Sequence, residues 1–277
     1  MTMPWENAPA NLSVGEQLLS ASDARFRMPD ARTSQALAQA EEAHFWHRSR
    51  NEYIEGQLRT HGIAPPMRLV ELGCGGGCVL SHLASRGYRM TGIEGHLELG
   101  ARAALRAPQA QIMVHDLELG APPDLANDHD AALLCDVIEH LDSPAAALAL
   151  AGSMVRRGGL VVGTVPALRF LWSRVDEVAG HKVRYQRRDL ARLLSRVPGL
   201  DLVQVAYFNM AHVPLMWATR RRLPQGATEV SEQNLKPPPR VVNELLYRLS
   251  RAEHELAARA PAAWPLGASL FFVLRRA

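Results

Sequence analysis

Glu71 and Glu94 are the first residues in this sequence whose type and spacing could do chemistry. Glu71 lies in the apolar run Leu69–Leu72, two residues ahead of the glycine-dense turn Gly73-Cys-Gly-Gly-Gly77, and Glu94 closes the next apolar run. Glycines let a ligand approach the backbone, and a carboxylate about 20 residues further on can accept hydrogen bonds from ribose hydroxyls. The pair therefore predicts a nucleoside pocket at the edge of a parallel sheet. The usual dinucleotide fingerprint, Gly-x-Gly-x-x-Gly, would need a glycine where this chain has Cys78. A carboxylate at position 71 would also repel a pyrophosphate at short range in a partly dry site. It suits a ligand that carries positive charge.

Three further segments concentrate polar and aromatic residues. Cys135-Asp-Val-Ile-Glu-His-Leu141 follows an apolar run, and His140 has an ordinary pKa near 6.5 that makes it a candidate general base. Gly180-His-Lys-Val-Arg-Tyr185 brings His181 and Tyr185 as candidates for the acceptor side. Glu42-Ala-His-Phe-Trp46, with Arg50 one helical turn on, offers an aromatic wall at Trp46 and a guanidinium suited to a carboxylate.

These residues need elements to position them. Short apolar runs at Leu69–Leu72, Met90–Ile93, Ile112–Val114, Ala132–Val137 and Leu160–Val165 alternate with helical patterns at Cys78–Arg86, Leu97–Ala107 and Ser143–Val155. Near-continuous apolar strands alternating with helices imply a parallel sheet buried on both faces, with all strand C-termini on one edge. A helix at Arg187–Val197, a strand at Leu200–Phe208 and a last strand at Ser269–Arg275 complete the pattern. The domain reading is a flexible arm over 1–30, an N-terminal helical cover over 31–62, an α/β core over 63–208, a helical cap over 209–267 and a final core strand over 268–277. The cover is expected to be one helix from about Arg32 to Arg59.

At Glu71-x-Gly-x-Gly-x-Gly77 the chain resembles the class I S-adenosylmethionine-dependent methyltransferases, in a bacterial branch that also carries His-Phe-Trp and Gly-His-x-x-Arg-Tyr segments. The resemblance spans about Glu41 to Arg275 and implies a Rossmann-like, seven-stranded, mostly parallel α/β sheet whose last strand runs antiparallel. S-adenosylmethionine is the implied cofactor. Glu71 would help hold its ammonium; Gly73, Gly75 and Gly77 would pass its amino-acid part; Glu94 would take the ribose hydroxyls. Asp116 would meet the adenine amino group, Leu117 would pack on the ring, and Asp136 and Val137 would border the cofactor. Trp46 and Arg50 would lie across it, while His140, His181, Arg184 and Tyr185 would face the acceptor. No metal site is expected, because the catechol-type relatives use an aspartate and asparagine cluster and Asp136 has no evident second ligand.

The implied activity is methyl transfer to a small molecule by in-line displacement, mainly through positioning. The same motifs would serve an enzyme that breaks a different C–S bond of the sulfonium, by cyclisation or aminocarboxypropyl transfer, and releases methylthioadenosine. A non-catalytic nucleoside-binding module is a further alternative. Composition narrows the partners. Of 277 residues, 47% are hydrophobic and 21% charged, and the net charge of +3 is too small for a nucleic-acid channel. No apolar run approaches the ~18 residues of a membrane span, and the three cysteines read as reduced thiols of a cytoplasmic protein.

Overall fold

The computed structural model describes residues 9–14, 38–39, 41–122, 125, 127–220, 238–259 and 264–277. One sheet is built from β1 (Leu12–Val14), β2 (Arg68–Leu72), β3 (Arg89–Glu94), β4 (Gln111–Val114), β5 (His129–Cys135), β6 (Val155–Pro166), β7 (Leu200–Phe208) and β8 (Ser269–Arg276). Their order across the sheet is β1-β4-β3-β2-β5-β6-β8-β7. Every pairing from β1 to β6 is parallel, and β8 runs antiparallel between β6 and β7. The chain moves outward from β2 to one side and then from β5 to the other. That reversal opens a crevice beyond the carboxyl ends of β2 and β5, where ligands bind in open α/β sheets.

The helices are α1 (Phe45–Thr60), α2 (Cys78–Ser85), α3 (Leu97–Arg106), α4 (Pro144–Met154), α5 (Arg174–Val178), α6 (Arg187–Leu194), α7 (Val213–Arg220) and α8 (Arg240–Arg259). They cover both faces. Val70 and Leu72 of β2 join the cluster that includes Leu148 of α4 and Leu190 of α6, whereas Leu69 joins Ile54 of α1, Leu80 of α2 and Ala103 of α3. Strands buried on both sides explain why their sequences are continuous apolar runs rather than alternating ones.

Two sequence expectations change. Among the described residues the sheet has eight strands rather than seven, because β1 comes from the region read as an arm. Three residues are too few to show a strand period. What places them is tertiary: Asn11 Nδ2 lies 2.8–3.3 Å from the carbonyls of Ala104, Ala107 and Ala110, and Leu12 registers with Ile112. The remaining arm residues, 1–8 and 15–30, lie outside the described residues. The helix expected from Arg32 is interrupted at His44, whose backbone is extended (φ −70°, ψ 127°) and whose Nδ1 accepts from the N–H of Trp46, capping α1. Residues 32–37 and 40 lie outside the described residues.

In the expected cap, α7 and α8 brace the two flanks of the crevice, while 221–237 and 260–263 are outside the described residues. On α8, Asn243 accepts from the N–H of Phe45 and donates to the Ala43 carbonyl; the Tyr247 hydroxyl meets Glu52 at 2.7 Å. Thus α8 fixes the start of α1. On α7, Arg220 donates to Asp176 and to the Leu171 carbonyl, which ties that helix to the loop before His181.

Candidate functional site

The glycine loop leaves β2 through Gly73, whose N–H bonds the Ile93 carbonyl at 2.8 Å, and enters α2 at Gly77. Gly73 (φ +67°) and Gly77 (φ +79°) both sit in the left-handed region. A Cβ at Gly73 would come 2.9 Å from Val137, and one at Gly77 would come 3.0 Å from the Ala103 backbone. The protein itself therefore demands glycine at both ends. In between, nothing lies within 4 Å of the Cβ positions of Gly75 and Gly76. That is open backbone on the crevice side. Glu94 holds the loop there: one carboxylate oxygen accepts from Gly75 N–H at 2.8 Å and the other from His96 N–H at 2.9 Å. A carboxylate offers about four lone-pair positions, so acceptor capacity remains for hydroxyls.

Beneath the loop lies a buried charge cluster. Glu71 is only 2% exposed, and its Oε2 has no hydrogen-bond partner. Burial pushes its carboxyl up to about 8, with Glu94 adding to the rise and Arg50 opposing it. Arg50, reaching in from α1, pairs with Asp136 at 2.7 Å. Asp136 directly follows β5 and adopts φ +56°, with its N–H bonded to the Thr164 carbonyl. A non-glycine residue in the left-handed region at a strand end is a costly conformation of the kind found at functional sites. The buried, unpartnered Glu71 oxygen and the open glycine backbone are an acceptor and a cradle suited to an ammonium, so the residues fit the aminoacyl end of S-adenosylmethionine.

On the opposite flank, His140 and His181 face each other edge to face with ring centroids 4.8 Å apart. The Nδ1 of His140 lies 3.3 Å from the Gly180 carbonyl, which can only accept. In the neutral ring its Nε2 therefore keeps the lone pair. Burial lowers the pKa of His140, and His181 lowers it further. His181 Nδ1 is 3.0 Å from Asp176 Oδ1, and its Nε2 is 4.0 Å from Glu139 Oε1. Asp176 is wholly buried and also accepts from Arg184 and Arg220, each at 2.8 Å. Burial alone would raise its carboxyl, but the bonds from His181 and Arg184 hold it well below the usual carboxylate range. Glu139 is likewise wholly buried, and neither of its carboxylate oxygens has a hydrogen-bond partner. Among the described residues, Glu139, His140 and His181 form the one group of three side chains that brings potential metal donors within 4.8 Å of one another.

The structure gathers Glu71, Gly73, Gly75, Gly77, Glu94, Asp136 and Arg50 around the crevice, with Val137 packed against Gly73. Trp46 is half-buried one turn before Arg50. Arg50 pairs with Asp136 through Nη1, while its Nε has no hydrogen-bond partner. Asp116 follows β4 as expected, but its Oδ1 accepts from Glu118 N–H and caps the short turn Leu117–Leu119; Leu117 packs on the core. Two acceptor-side expectations change. Tyr185 is buried, its hydroxyl 3.5 Å from the Ile138 carbonyl, and burial together with Glu139 pushes its pKa up to about 12. Arg184 is 3% exposed and spent on Asp176 and the Ala167 carbonyl. Both point inward because the bridge between Ala167 and Tyr185 docks this loop on the end of β6. Sequence reasoning missed Glu139 and Asp176. The one available signal was Asp176 standing five residues before His181, with a serine three residues ahead that completes its capping box.

A doubly wound sheet with an antiparallel last pair, and a carboxylate beneath an open glycine loop at its switch point, define a nucleoside-binding transferase fold. Residues 45–205, more than half of the chain, match the methyltransferase domain, and the chain belongs to that family of S-adenosylmethionine-dependent enzymes. A ubiquinone biosynthesis O-methyltransferase of Burkholderia thailandensis is 32% identical over 108 residues, covering 38% of this chain and 46% of the relative. The match thus spans about half the length of that relative. Among solved structures, a SAM-dependent methyltransferase of Thermotoga maritima aligns with TM-score 0.55 at 16% identity, over 89% of this chain and 95% of that one. A complex of the Haloferax volcanii Trm112 activator with a methyltransferase aligns at 0.54 and 15%, over 89% and 93%. At such identities these structures speak for the fold. No helix among the described residues is long and apolar enough to cross a membrane.

Proposed function

We propose that this protein methylates an oxygen of a small-molecule acceptor. The observation that carries the reading is the orphaned, buried Glu71 carboxylate beneath the open backbone of Gly75 and Gly76, with Glu94 alongside. S-adenosylmethionine, bound there, supplies an electrophilic methyl carbon on an excellent leaving group. The chain's task is then mainly alignment, which can lower a barrier by about 7–11 kcal/mol. Glu71 binds the ammonium, the open glycine backbone passes the amino-acid part, Glu94 takes the ribose hydroxyls, and Arg50 keeps Asp136 in its left-handed conformation beside it. Across the crevice, the Nε2 atoms of His140 and His181 present a basic surface to an acceptor hydroxyl. Support for oxygen as the acceptor atom comes from that surface and from the O-methyltransferase relatives.

The test is product identification. Purified protein incubated with S-adenosylmethionine and a panel of phenols, catechols and hydroxy acids should release S-adenosylhomocysteine in step with a methyl ether or ester. Methylthioadenosine as the nucleoside product would overturn methyl transfer. Tight cofactor binding with no turnover on any acceptor class would point to a binding module.

A further inference from the structure

We infer that Glu139, His140 and His181 form a binding site for a first-row transition-metal ion, most simply Zn2+, Mn2+ or Fe2+. The expectation of no metal considered Asp136 and hard cations; the donor set here is different and does not use Asp136. Three observations converge. First, one donor atom from each residue lies within 4.8 Å of the other two, and His181 Nε2 stands 4.0 Å from Glu139 Oε1. Tetrahedral ligands about 2.1 Å from an ion stand ~3.4 Å apart, so side-chain rotation over ~1 Å closes the shell.

Second, both imidazoles have their outer nitrogen already engaged. His181 Nδ1 is held by Asp176, and His140 Nδ1 by the Gly180 carbonyl. This is how proteins orient metal-binding histidines: a carboxylate or carbonyl takes the far N–H and leaves the other nitrogen for the ion. Asp176 is itself locked by Arg184 and Arg220, so the His181 ring has little freedom. Third, Glu139 is 0% exposed, and both its oxygens lack hydrogen-bond partners. A wholly buried carboxyl with nothing bonded to either oxygen calls for an explanation, and a cation supplies it. Two imidazoles with one carboxylate favour a borderline transition metal over Mg2+ or Ca2+, which prefer all-oxygen shells.

Three protein ligands leave a coordination position open. Glu139 is wholly buried and the two histidines are half-buried, so the open position would lie on the imidazole side. In this respect the inference rests on the proposed methyl transfer: with both Nε2 atoms on the ion, the ion would take over their part as the basic surface, and an acceptor hydroxyl entering the open position would be polarised and would lose its proton more readily. Metal binding itself does not depend on that reading.

The experiment strips the full chain with a chelator and titrates it with Co2+, following visible d–d absorption, and with Zn2+ by calorimetry. The expected result is one saturable site per chain with the intense bands of four- or five-coordinate Co2+. Glu139→Gln and His181→Ala should each weaken binding by more than ~100-fold, and so should His140→Ala, which serves if either of the others fails to fold. Asp176→Asn should weaken it by ~10- to 100-fold. Absence of saturable Co2+ and Zn2+ binding in the wild type, or affinity unchanged in His140→Ala and His181→Ala, overturns the site. Cofactor calorimetry on the metal-free protein separates the two readings. Cofactor binding without metal binding sinks only the metal site, whereas metal binding without cofactor binding sinks only the methyltransferase reading.

Discussion

Replacing Glu71 with glutamine should move affinity and stability in opposite directions. The substitution is nearly isosteric and removes only the charge. In the free protein the carboxyl is driven from its ordinary 4.5 up to about 8, chiefly by burial. One pKa unit is about 1.4 kcal/mol, so ionised Glu71 costs on the order of 5 kcal/mol in the folded state. That figure already includes the opposing pull of Arg50, which keeps Asp136 in the variant, and the partly unpaired amide of the variant gives back ~1–3 kcal/mol. A net gain of ~1–3 kcal/mol at pH 8.5 remains, or ~2–10 °C in Tm for a chain of this size. Cofactor binding goes the other way. A charge-assisted hydrogen bond contributes about 1.5–3 kcal/mol, so the dissociation constant of S-adenosylmethionine should rise ~10- to 150-fold.

The sign of the pH dependence follows from the same shift. A carboxyl whose folded pKa is raised favours the folded state at low pH, and that contribution is lost as pH climbs from about 4.5 through 8. A bound ammonium requires the ionised form, so wild-type affinity should increase as pH rises toward 8, with proton uptake by buffer on binding. Both trends should vanish in Glu71→Gln. Calorimetry in buffers of different ionisation enthalpy, with thermal melts of the free proteins, reads all four quantities. An affinity within twofold of wild type, or a lower Tm in the variant, would refute the assignment of Glu71 as the cation's partner.

Other consequences can be checked on the same protein. Gly75→Ala and Gly62→Ala both place a methyl at positive φ (+55° and +84°) with no atom within 4 Å, so each should cost ~1–2 kcal/mol of stability. Only Gly75→Ala should also weaken cofactor binding, by tenfold or more in a fluorescence titration, and equal effects on affinity would contradict the placement of the ligand over the loop. The buried His254 and His212 are held neutral, with pKa values pushed down by burial to about 3 and about 4. Depressed folded pKa values contribute stability above about pH 6.5 that is lost as pH falls, on the order of 2 kcal/mol per imidazole at pH 5. His254→Gln, which can keep the bond to Asn209, should flatten Tm between pH 7 and 5; an unchanged slope would count against this cause.

The parts of this protein that were legible in its sequence are those governed by local pattern. Apolar runs marked β2 through β8, because most residues of these strands are buried, and Gly73, Gly75 and Gly77 marked a tight loop in which each takes a positive φ. Glu71 and Glu94 stood out as candidates since each sits at or next to a strand end. Local pattern failed where the partner is far away in sequence. Three residues became β1 only through Asn11 and Ile112, and His44 broke a helix that propensity would continue.

Around the crevice, the sequence by itself determined the cofactor end: residue types and spacings there dictate open backbone with a carboxylate below it. Only the tertiary structure decided what each polar group has left to offer. It paired Arg50 with Asp136, turned Tyr185 and Arg184 inward, and used Asp116 as a cap. It also left Glu139 buried and unpaired beside two imidazoles drawn from separate loops, each with its far nitrogen already bonded. The reason is physical: a side chain's chemistry depends on burial and on which lone pairs and protons neighbours have taken, and those neighbours lie as far as 86 residues away here, as with Arg50 and Asp136.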